Sequence, residues 1–154
     1  MGDTKFMEIK KLESYNLDEY INLRIKMLKE NINKDYSELE KQTRKYFVEN
    51  LNDTLFIFGM FDNDKLIAIC GLEIVKRLPT PQNLACMIGY ICTVYTDIPY
   101  RNNGISKKLL NATLQFGKSL GINRFNLNTH NSIALKLYKE FGFEHNPDAM
   151  ILDT

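Results

Sequence analysis

The period of the hydrophobic residues changes twice along this chain of 154 residues, and that change constrains the fold more than any other feature. In the first third, apolar residues recur every three or four positions, as at Leu17, Ile21 and Ile25, which predicts helix. Between Leu55 and Thr96 the apolar runs are nearly continuous and rich in aromatic residues, which predicts covered strands. The helical period returns after Gly104. The chain therefore combines helices with a largely antiparallel group of strands.

The pattern predicts the element order β-α-α-β-β-β-α-β-α-β and a sheet with helices on both sides. Asn16 with Glu19, and Ser37 with Glu40, stand at the spacing of capping boxes before the first two helices. The predicted strands are Phe6–Lys11, Leu55–Phe61, Leu66–Val75, Cys86–Thr96 and Arg124–Thr129, with a last extended stretch from Phe143 to Leu152; the later helices run from Gly104 to Gly121 and from Ser132 to Phe141.

Charge and cysteine content exclude several functional classes. Lys+Arg 20 against Asp+Glu 19 gives a net charge of +1, which argues against nucleic acid and anionic membranes as partners. Cys70, Cys86 and Cys92 lie in apolar runs without the paired spacing and histidines of a zinc site, so no metal is expected.

Met1 to Lys10 has no apolar signal core, and no stretch is long enough to span a bilayer. A cytoplasmic location is predicted.

The segment from Tyr90 to Leu110 reads as a strand, a tight loop and the start of a helix. Such a turn points several backbone N–H groups at one spot, and the helix N-terminus adds about half a positive charge. The loop has neither the Gly-Lys-Ser/Thr of a Walker A motif nor the glycines of a dinucleotide fingerprint. A plain strand-to-helix turn would share the pattern. The functional interpretation is an anion cradle suited to a pyrophosphate, formed by Arg101, Asn102, Asn103, Gly104, Ile105 and Ser106.

A second informative segment runs from Asn131 to Phe143. Asn131 can cap its short helix, and Tyr138 lies on a partly apolar face of that helix. Taken alone, a tyrosine in this position is as well explained as a core residue whose hydroxyl reaches water.

Together, the two segments resemble the GNAT N-acetyltransferase family. Arg101-Asn-Asn-Gly104-Ile-Ser106 is similar to the family's pyrophosphate loop, Gln/Arg-x-x-Gly-x-Gly/Ala. Asn131 to Phe143 is similar to its later motif, Asn-x-x-Ala-x-x-x-Tyr-x-x-x-Gly-Phe. The motifs occur in the family's order, separated by a helix and a strand. The resemblance implies one domain over residues 1–154 with an α/β (α+β) fold, in which a mixed, mostly antiparallel sheet is flanked by helices.

The resemblance also implies a function, namely acetyl transfer from acetyl-CoA to an amine by direct attack in a ternary complex. Tyr138 would protonate the leaving thiolate, and Asn131 would hold the pantetheine arm. Cys92, Thr93 and Val94 would pair with that arm as an added strand, provided that their strand diverges from Arg124–Thr129. By similarity, the Cys92 N–H would stabilise the oxyanion.

The resemblance leaves the general base open. Many family members place a glutamate on the strand before the loop, but Met87 to Val94 contains no acidic residue. Glu73 on the neighbouring strand is the first candidate and His130 the second, and a chain of waters is a third route. A solvent-facing Glu73 and a structural His130 are the alternatives to these roles. Ser106 stands where the family prefers Gly or Ala, and its small side chain should leave binding intact.

The predicted partners are acetyl-CoA and an amine, either a small molecule or a protein amino group. The acceptor site is expected between the first two helices and the Leu78–Pro81 loop. Its candidate wall residues are Tyr36, Tyr46, Phe47, Arg77 and Leu78. A homodimer is suggested by association with the family alone.

Two other functions compete with an acetyltransferase. One is a module that senses acyl-CoA without turning it over, an idea that the missing strand carboxylate motivates. The other is an unrelated nucleotide-binding domain, which the antiparallel middle strands and the lack of a βαβ repeat disfavour.

Overall fold

The computed structural model describes residues 6–154, so residues 1–5, which belong to the segment tested above for a signal peptide, lie outside it. The sheet has five strands in the order β1-β2-β3-β4-β5. The strands are β1 Met7–Lys11, β2 Leu55–Asp62, β3 Lys65–Lys76, β4 Met87–Thr96 and β5 Phe125–Asn126, and the helices are α1 Leu17–Asn31, α2 Ser37–Asn50, α3 Ile105–Ser119 and α4 Ser132–Glu140.

The predicted fold class is confirmed. Strands β1 to β4 pair in antiparallel fashion with their neighbours in sequence, and β5 pairs with β4 in parallel. The crossover from β4 to β5 contains α3, as a parallel connection requires. The sheet is therefore mixed and mostly antiparallel. In the described part of the chain, none of the helices has the length and apolar character that a membrane span requires.

Each face of the sheet carries its own hydrophobic core because successive side chains of β3 point to opposite sides. Ile69 belongs to the core beneath α1 and α2, together with Tyr20 and Phe47. Cys70, one residue later, belongs to the core beneath α3 and α4, together with Tyr138. The two helix pairs are thus separated by the sheet.

Two glycines determine where β5 joins the sheet. A Cβ atom on Gly89 of β4 would lie 2.7 Å from the Phe125 ring, and a Cβ atom on Gly117 of α3 would also lie 2.7 Å from it. The ring of Phe125 therefore occupies the space that both glycines leave open. This contact fixes β5 at the start of β4, where Gly89 and Tyr90 pair with Phe125 and Asn126.

The predicted last strand is not formed in the described residues, because the structure assigns no strand after α4. Asn146 folds back locally, since its side-chain oxygen accepts from the Asp148 N–H at 3.2 Å. Pro147 has no N–H to donate to a sheet. Ile151 and Leu152 are exposed rather than packed on β5.

The predicted capping boxes are also wrong. The Asn16 side chain does not cap the backbone of the first turn of α1, because its oxygen accepts from the Glu13 N–H in a preceding 3₁₀ turn, while its nitrogen donates to the Glu19 carboxylate at 3.5 Å. At α2 the cap comes from Asp35, whose carboxylate accepts from the Ser37 N–H at 2.9 Å. At α1 the Glu13 N–H takes up the predicted acceptor, and at α2 the Asp35 carboxylate takes up the donor.

Candidate active site

A cleft of about 1840 Å³ opens where β4 and β5 diverge. The two strands pair only through Gly89–Phe125 and Tyr90–Asn126, so the rest of β4 has no partner on that side. The predicted divergence is confirmed. Every predicted site residue except Asn103 lines the cleft, namely Glu73, Cys92, Thr93, Val94, Arg101, Asn102, Gly104, Ile105, Ser106, His130, Asn131 and Tyr138.

The backbone of β4 is irregular beside this opening. Gly71 pairs with Cys92 and Ile69 pairs with Tyr95, so Cys70 faces both Thr93 and Val94. This is a β-bulge, which leaves part of the backbone of Thr93 and Val94 without a partner in β3. Thr93 has φ 51°, a left-handed conformation that a β-branched residue rarely adopts. The strand thus presents free polar backbone at the opening.

The predicted role of the Cys92 N–H is contradicted by the register. The Gly89 N–H donates to the Arg124 carbonyl on the β5 side, and backbone groups alternate direction along a strand. Ile91 therefore faces the opening, and Cys92 faces Gly71 in β3. An N–H engaged in the β3–β4 ladder is not available to an oxyanion. The groups that remain for this role belong to the bulge, at Thr93 and Val94.

Arg24 and Tyr20 of α1 contact the bulge from the face of α1 and α2. Arg24 Nη1 donates to Thr93 Oγ1 at 2.9 Å. Tyr20 is buried, which raises the pKa of its hydroxyl, and the Thr93 side chain lies close to that hydroxyl. A left-handed threonine costs about 1–3 kcal/mol. The two contacts from α1 hold Thr93 in this costly conformation.

The predicted anion cradle has the backbone that such a site needs. Asn102 has φ 63° and Gly104 has φ 69°, and α3 begins directly after Gly104. Lys108 N–H bonds to the Gly104 carbonyl, so the amides before it belong to the unpaired first turn of α3. Asn103 stabilises the loop from outside, because its side-chain nitrogen donates to the carbonyls of Tyr100 and Arg101, both at 3.1 Å.

The Arg101 side chain does not extend along the cradle, although the sequence suggested that it adds charge there. Its Nη2 lies 2.8 Å from both carboxylate oxygens of Glu30 in α1. Its Nε donates to the Thr96 carbonyl at 2.9 Å, and its guanidinium lies 5.4 Å from the centre of the Tyr95 ring. Glu30 neutralises most of this charge, so the backbone amides carry the cradle's affinity for an anion.

The Glu30–Arg101 ion pair should respond to acid. Burial raises the pKa of the Glu30 carboxyl, but hydrogen bonds from Tyr95 and Arg101 together lower it by more. The pKa therefore lies below its usual value of 4.5. The stabilisation is therefore present above the unfolded carboxyl's pKa and is lost as the pH falls through the lower folded value.

We expect Glu30→Gln to reduce the free energy of unfolding at pH 7 by at most about 1 kcal/mol, because the pair is one-third exposed. In urea denaturation at a series of pH values, the difference from the wild type should shrink as the pH falls below 4.5 and vanish below the lowered folded pKa of Glu30. Glu140→Gln is the control. It removes the carboxylate that pairs with Lys107, and because this pair is more exposed than Glu30–Arg101, stability should change less. A difference that persists in acid would contradict the assignment.

Ser106 departs from the family pattern and is accommodated within the protein. Its hydroxyl lies 2.9 Å from the hydroxyl of Thr96, a buried residue at the end of β4. The bond joins the first turn of α3 to β4 and satisfies a polar group that is removed from water.

The second motif forms α4 as predicted. The side-chain oxygen of Asn131 accepts from the N–H groups of Ile133 and Ala134, at 2.9 and 3.2 Å, so the predicted cap is confirmed. Tyr138 is 6% exposed and packs edge-on against Phe143. Burial raises the pKa of its hydroxyl to about 12, with a smaller contribution from Cys70. Tyr138 therefore stays protonated at neutral pH and can donate a hydrogen bond or proton into the cleft.

Glu73 lies on the opposite face of the sheet from Tyr138. It pairs with Tyr90 across β3 and β4 and is partly buried at the cleft wall. The hydroxyl pKa of Tyr46 in α2 is raised by burial first and then by the Glu73 charge. His130, the other candidate base, is exposed and lies just before α4 at the cleft rim. Glu73 is thus the carboxylate nearest the bulge on the α1–α2 side.

The thiols of Cys70 and Cys92 are poor nucleophiles. Burial, followed by the charge of Glu73, raises the pKa of Cys92 to about 12, and burial raises that of Cys70 to about 12. A thiol with such a pKa is protonated at neutral pH, whereas the thiolate is the reactive form. The Cys92 sulfur is therefore not assigned a nucleophilic role. Among residues 6–154, no group of three or more metal-ligating side chains is positioned to hold an ion.

Two of the five residues predicted for the acceptor wall line the cleft. Tyr46 and Phe47 of α2 line the cleft. Arg77 and Leu78 line a separate, smaller cavity of about 500 Å³ near the start of β4. Tyr36 bonds to the Ile32 carbonyl at 2.8 Å and closes the turn between α1 and α2. Arg77 and Leu78 lie away from the cleft because β3 continues past Val75 and carries the loop that follows it away from the opening.

Sequence reasoning missed Arg24 and Glu30. Both line the cleft and both contact the segments that the motifs identified. Arg24 lies three residues after Ile21 and four before Leu28, so it interrupts an apolar helix stripe. A charged residue at such a position is a signal for a functional or paired group.

A family model described as the acetyltransferase (GNAT) family matches residues 20–143. The chain belongs to this family. N-alpha-acetyltransferase 30 of Schizosaccharomyces pombe is 34% identical over 116 residues, which cover 73% of this chain and 72% of the relative. This GNAT chain is an enzyme, an acetyl-CoA-dependent N-acetyltransferase.

Solved structures share the fold of this GNAT acetyltransferase. A predicted acetyltransferase with acetyl-CoA from Clostridium acetobutylicum has a TM-score of 0.89 at 23% identity, covering 96% of both chains. A GCN5-related N-acetyltransferase from Ralstonia eutropha JMP134 has a TM-score of 0.84 at 22% identity, covering 96% of this chain and 99% of that one.

The chemistry of the cleft suits acetyl-CoA. The amides of the Asn102–Ser106 turn suit a pyrophosphate, and the unpaired edge of β4 suits the peptide-like pantetheine arm. The bulge lies farther along the same edge, where a thioester would follow the pantetheine arm. When bound, acetyl-CoA supplies the activated acetyl group.

Proposed function

We propose that this acetyltransferase passes the acetyl group directly to an amine, with Tyr138 and Glu73 handling the two protons. One observation carries the proposal. Tyr138 packs on the α3–α4 side of the sheet and Glu73 lies toward α2, yet both side chains line the single cleft at the β4–β5 opening. A donor that enters from one face and an acceptor from the other can therefore meet at the bulge.

In the proposed step, the amine nitrogen attacks the carbonyl carbon of the thioester, and the carbon–sulfur bond breaks. Glu73 accepts the proton that the amine nitrogen gives up. Tyr138 donates its proton to the sulfur and regains one from solvent. Its pKa of about 12 keeps the phenol protonated at neutral pH, so its O–H is available to the sulfur while the carbon–sulfur bond breaks. Thr93 and Val94 supply backbone N–H groups for the developing oxyanion.

The loop from Arg101 to Ser106 is proposed to hold the pyrophosphate, with Asn131 beside the pantetheine arm. The acceptor is an amine, and the name of the yeast relative specifies an alpha-amino group. A primary amine that reaches the bulge from the side of α1 and α2 fits this geometry. A cytoplasmic location, one domain over the whole chain and a homodimer remain proposals.

The proposed function is tested by incubating the purified chain with acetyl-CoA and a panel of primary amines. We expect release of free thiol in proportion to acetylated product, measured by mass spectrometry, and no release without an amine. CoA should raise the melting temperature, while ATP and NAD serve as controls and should not. Tight CoA binding without transfer to any amine would instead favour the acyl-CoA sensor. The sensor was suggested by the lack of an acidic residue on β4, but the partly buried Glu73 of β3 offers a carboxylate in the cleft.

A further inference from the structure

We propose that the acceptor carries an anionic group, a carboxylate or a phosphate, besides its amine, and that Arg24 binds this group. The inference rests on the proposed function, because it assigns the chemical class of the acceptor at the same site. Arg24 lies at the cleft wall without the carboxylate partner that Arg44 and Arg101 have.

Arg24 is only partly exposed, and its Nε is buried without a hydrogen-bond partner. Among the described residues, its one side-chain hydrogen bond goes to the neutral hydroxyl of Thr93. Within the described part of the chain, no carboxylate comes within 4.0 Å of it. By contrast, Arg44 and Arg101 both form ion pairs, with Asp18 and Glu30 respectively. Arg24 is therefore a partly desolvated cation with donor capacity to spare.

A guanidinium in this state is matched best by a planar or tetrahedral anion. Removing a charge from water is costly unless an opposite charge and hydrogen bonds compensate it. The fork of N–H groups on arginine suits carboxylate and phosphate oxygens. Because Arg24 lines the cleft from α1, an anion carried by a molecule that enters on the side of α1 and α2 can reach it.

The opposite charge in the same region is Glu73. Both Arg24 and Glu73 act on Cys92, the former lowering and the latter raising the pKa of its thiol, so both lie close to the bulge. Glu73 faces Tyr90, three residues before Thr93, and three residues of strand span roughly 10 Å. One compact molecule can therefore direct its amine toward Glu73 and its anion toward Arg24.

The aromatic residues Tyr20, Tyr46 and Tyr90 border the space between the two charges. They provide apolar rings with hydroxyls at the edge, which suits the short carbon frame of a zwitterion. A polycationic acceptor, in contrast, would bring positive charge against the unpaired guanidinium. The arrangement thus favours an amine that is also an anion.

The test compares matched substrates with and without the anion, and kcat/KM is expressed per unprotonated amine because the anion also raises the amine pKa. For a carboxylate source, the pair is an α-amino acid and its α-carboxamide; for a phosphate source, it is an amino alcohol and its phosphate ester. In the wild type, the anionic member of at least one pair should have a kcat/KM about 10- to 100-fold higher. Arg24→Gln should bring that ratio close to one, whereas Arg44→Gln should leave it unchanged.

A purely structural role for Arg24 predicts a different result. In that case Arg24→Gln would slow both members of a pair equally, because the bulge at Thr93 would be disturbed for every acceptor. Equal losses would overturn the proposal, and so would a wild-type preference for the neutral members. Arg24→Lys should retain part of the preference, since it keeps the charge and loses the fork.

Calorimetry separates this inference from the proposed reaction. The same pairs are titrated into the CoA-bound protein, so that binding is measured without turnover. Anion-dependent binding that Arg24→Gln abolishes would support the subsite even if no amine were acetylated, while the proposed transfer would then fail. Binding that is indifferent to the anion in all pairs would overturn the subsite even if transfer occurred.

Discussion

Tyr138→Phe should lower kcat about 100-fold and leave the KM for acetyl-CoA nearly unchanged. The variant keeps the ring that packs against Phe143, so the core should survive, and it loses only the hydroxyl in the cleft. Without this donor, the sulfur leaves as an unprotonated thiolate. Steady-state kinetics with a good amine acceptor, with thiol release as the readout, measure the effect.

Tyr15→Phe is the matched control, because Tyr15 is 82% exposed and lies outside the cleft. Its kcat should equal that of the wild type. Full activity of Tyr138→Phe would remove Tyr138 from the reaction. A fall in kcat that urea denaturation traces to a loss of folded protein would show that the hydroxyl acts on stability instead.

Glu73→Gln should reduce kcat/KM by roughly 10- to 100-fold at neutral pH, where the acceptor amine is mostly protonated. The loss should shrink as the pH approaches the pKa of the amine, because solvent then removes the proton that Glu73 would take. A pH profile of kcat/KM for the wild type and the variant shows whether the curves converge in alkaline solution.

His130→Gln discriminates between the candidate bases and should change kcat/KM less than about threefold. The imidazole is exposed at the cleft rim, whereas Glu73 lies beside Tyr90 and the bulge. A large loss in His130→Gln together with an active Glu73→Gln would transfer the role to the histidine. Two active variants would assign deprotonation to a chain of waters.

Local patterns in the sequence were sufficient to predict most of the fold. The helix after Gly104, the cap at Asn131 and the antiparallel pairing of β2, β3 and β4 all depend on residues that are close in sequence. The two motifs indicated that Tyr138 and the Arg101–Ser106 loop share one cleft. Both lie near the ends of regular elements, and the fold brings these ends together.

The features that escaped prediction depend on contacts between distant segments. Arg101 turns toward Glu30, which precedes it by 71 residues, and this could not be read from the loop motif. The direction of the Cys92 N–H depends on the register of β4 against β3, which a bulge shifts. The last stretch has apolar residues typical of a strand, but β5 is only two residues long and offers little edge to pair with.

Helix α1 touches the acetyl-CoA side of the cleft at two points, through Arg24 on Thr93 and Glu30 on Arg101. In the proposed arrangement, the same helix forms a wall for the acceptor. A molecule that shifts α1 on binding must therefore alter the affinity of the protein for the other substrate, and thermodynamic linkage makes the effect equal in both directions. Substitutions in α1 that change which amine is accepted will therefore also change the affinity for acetyl-CoA.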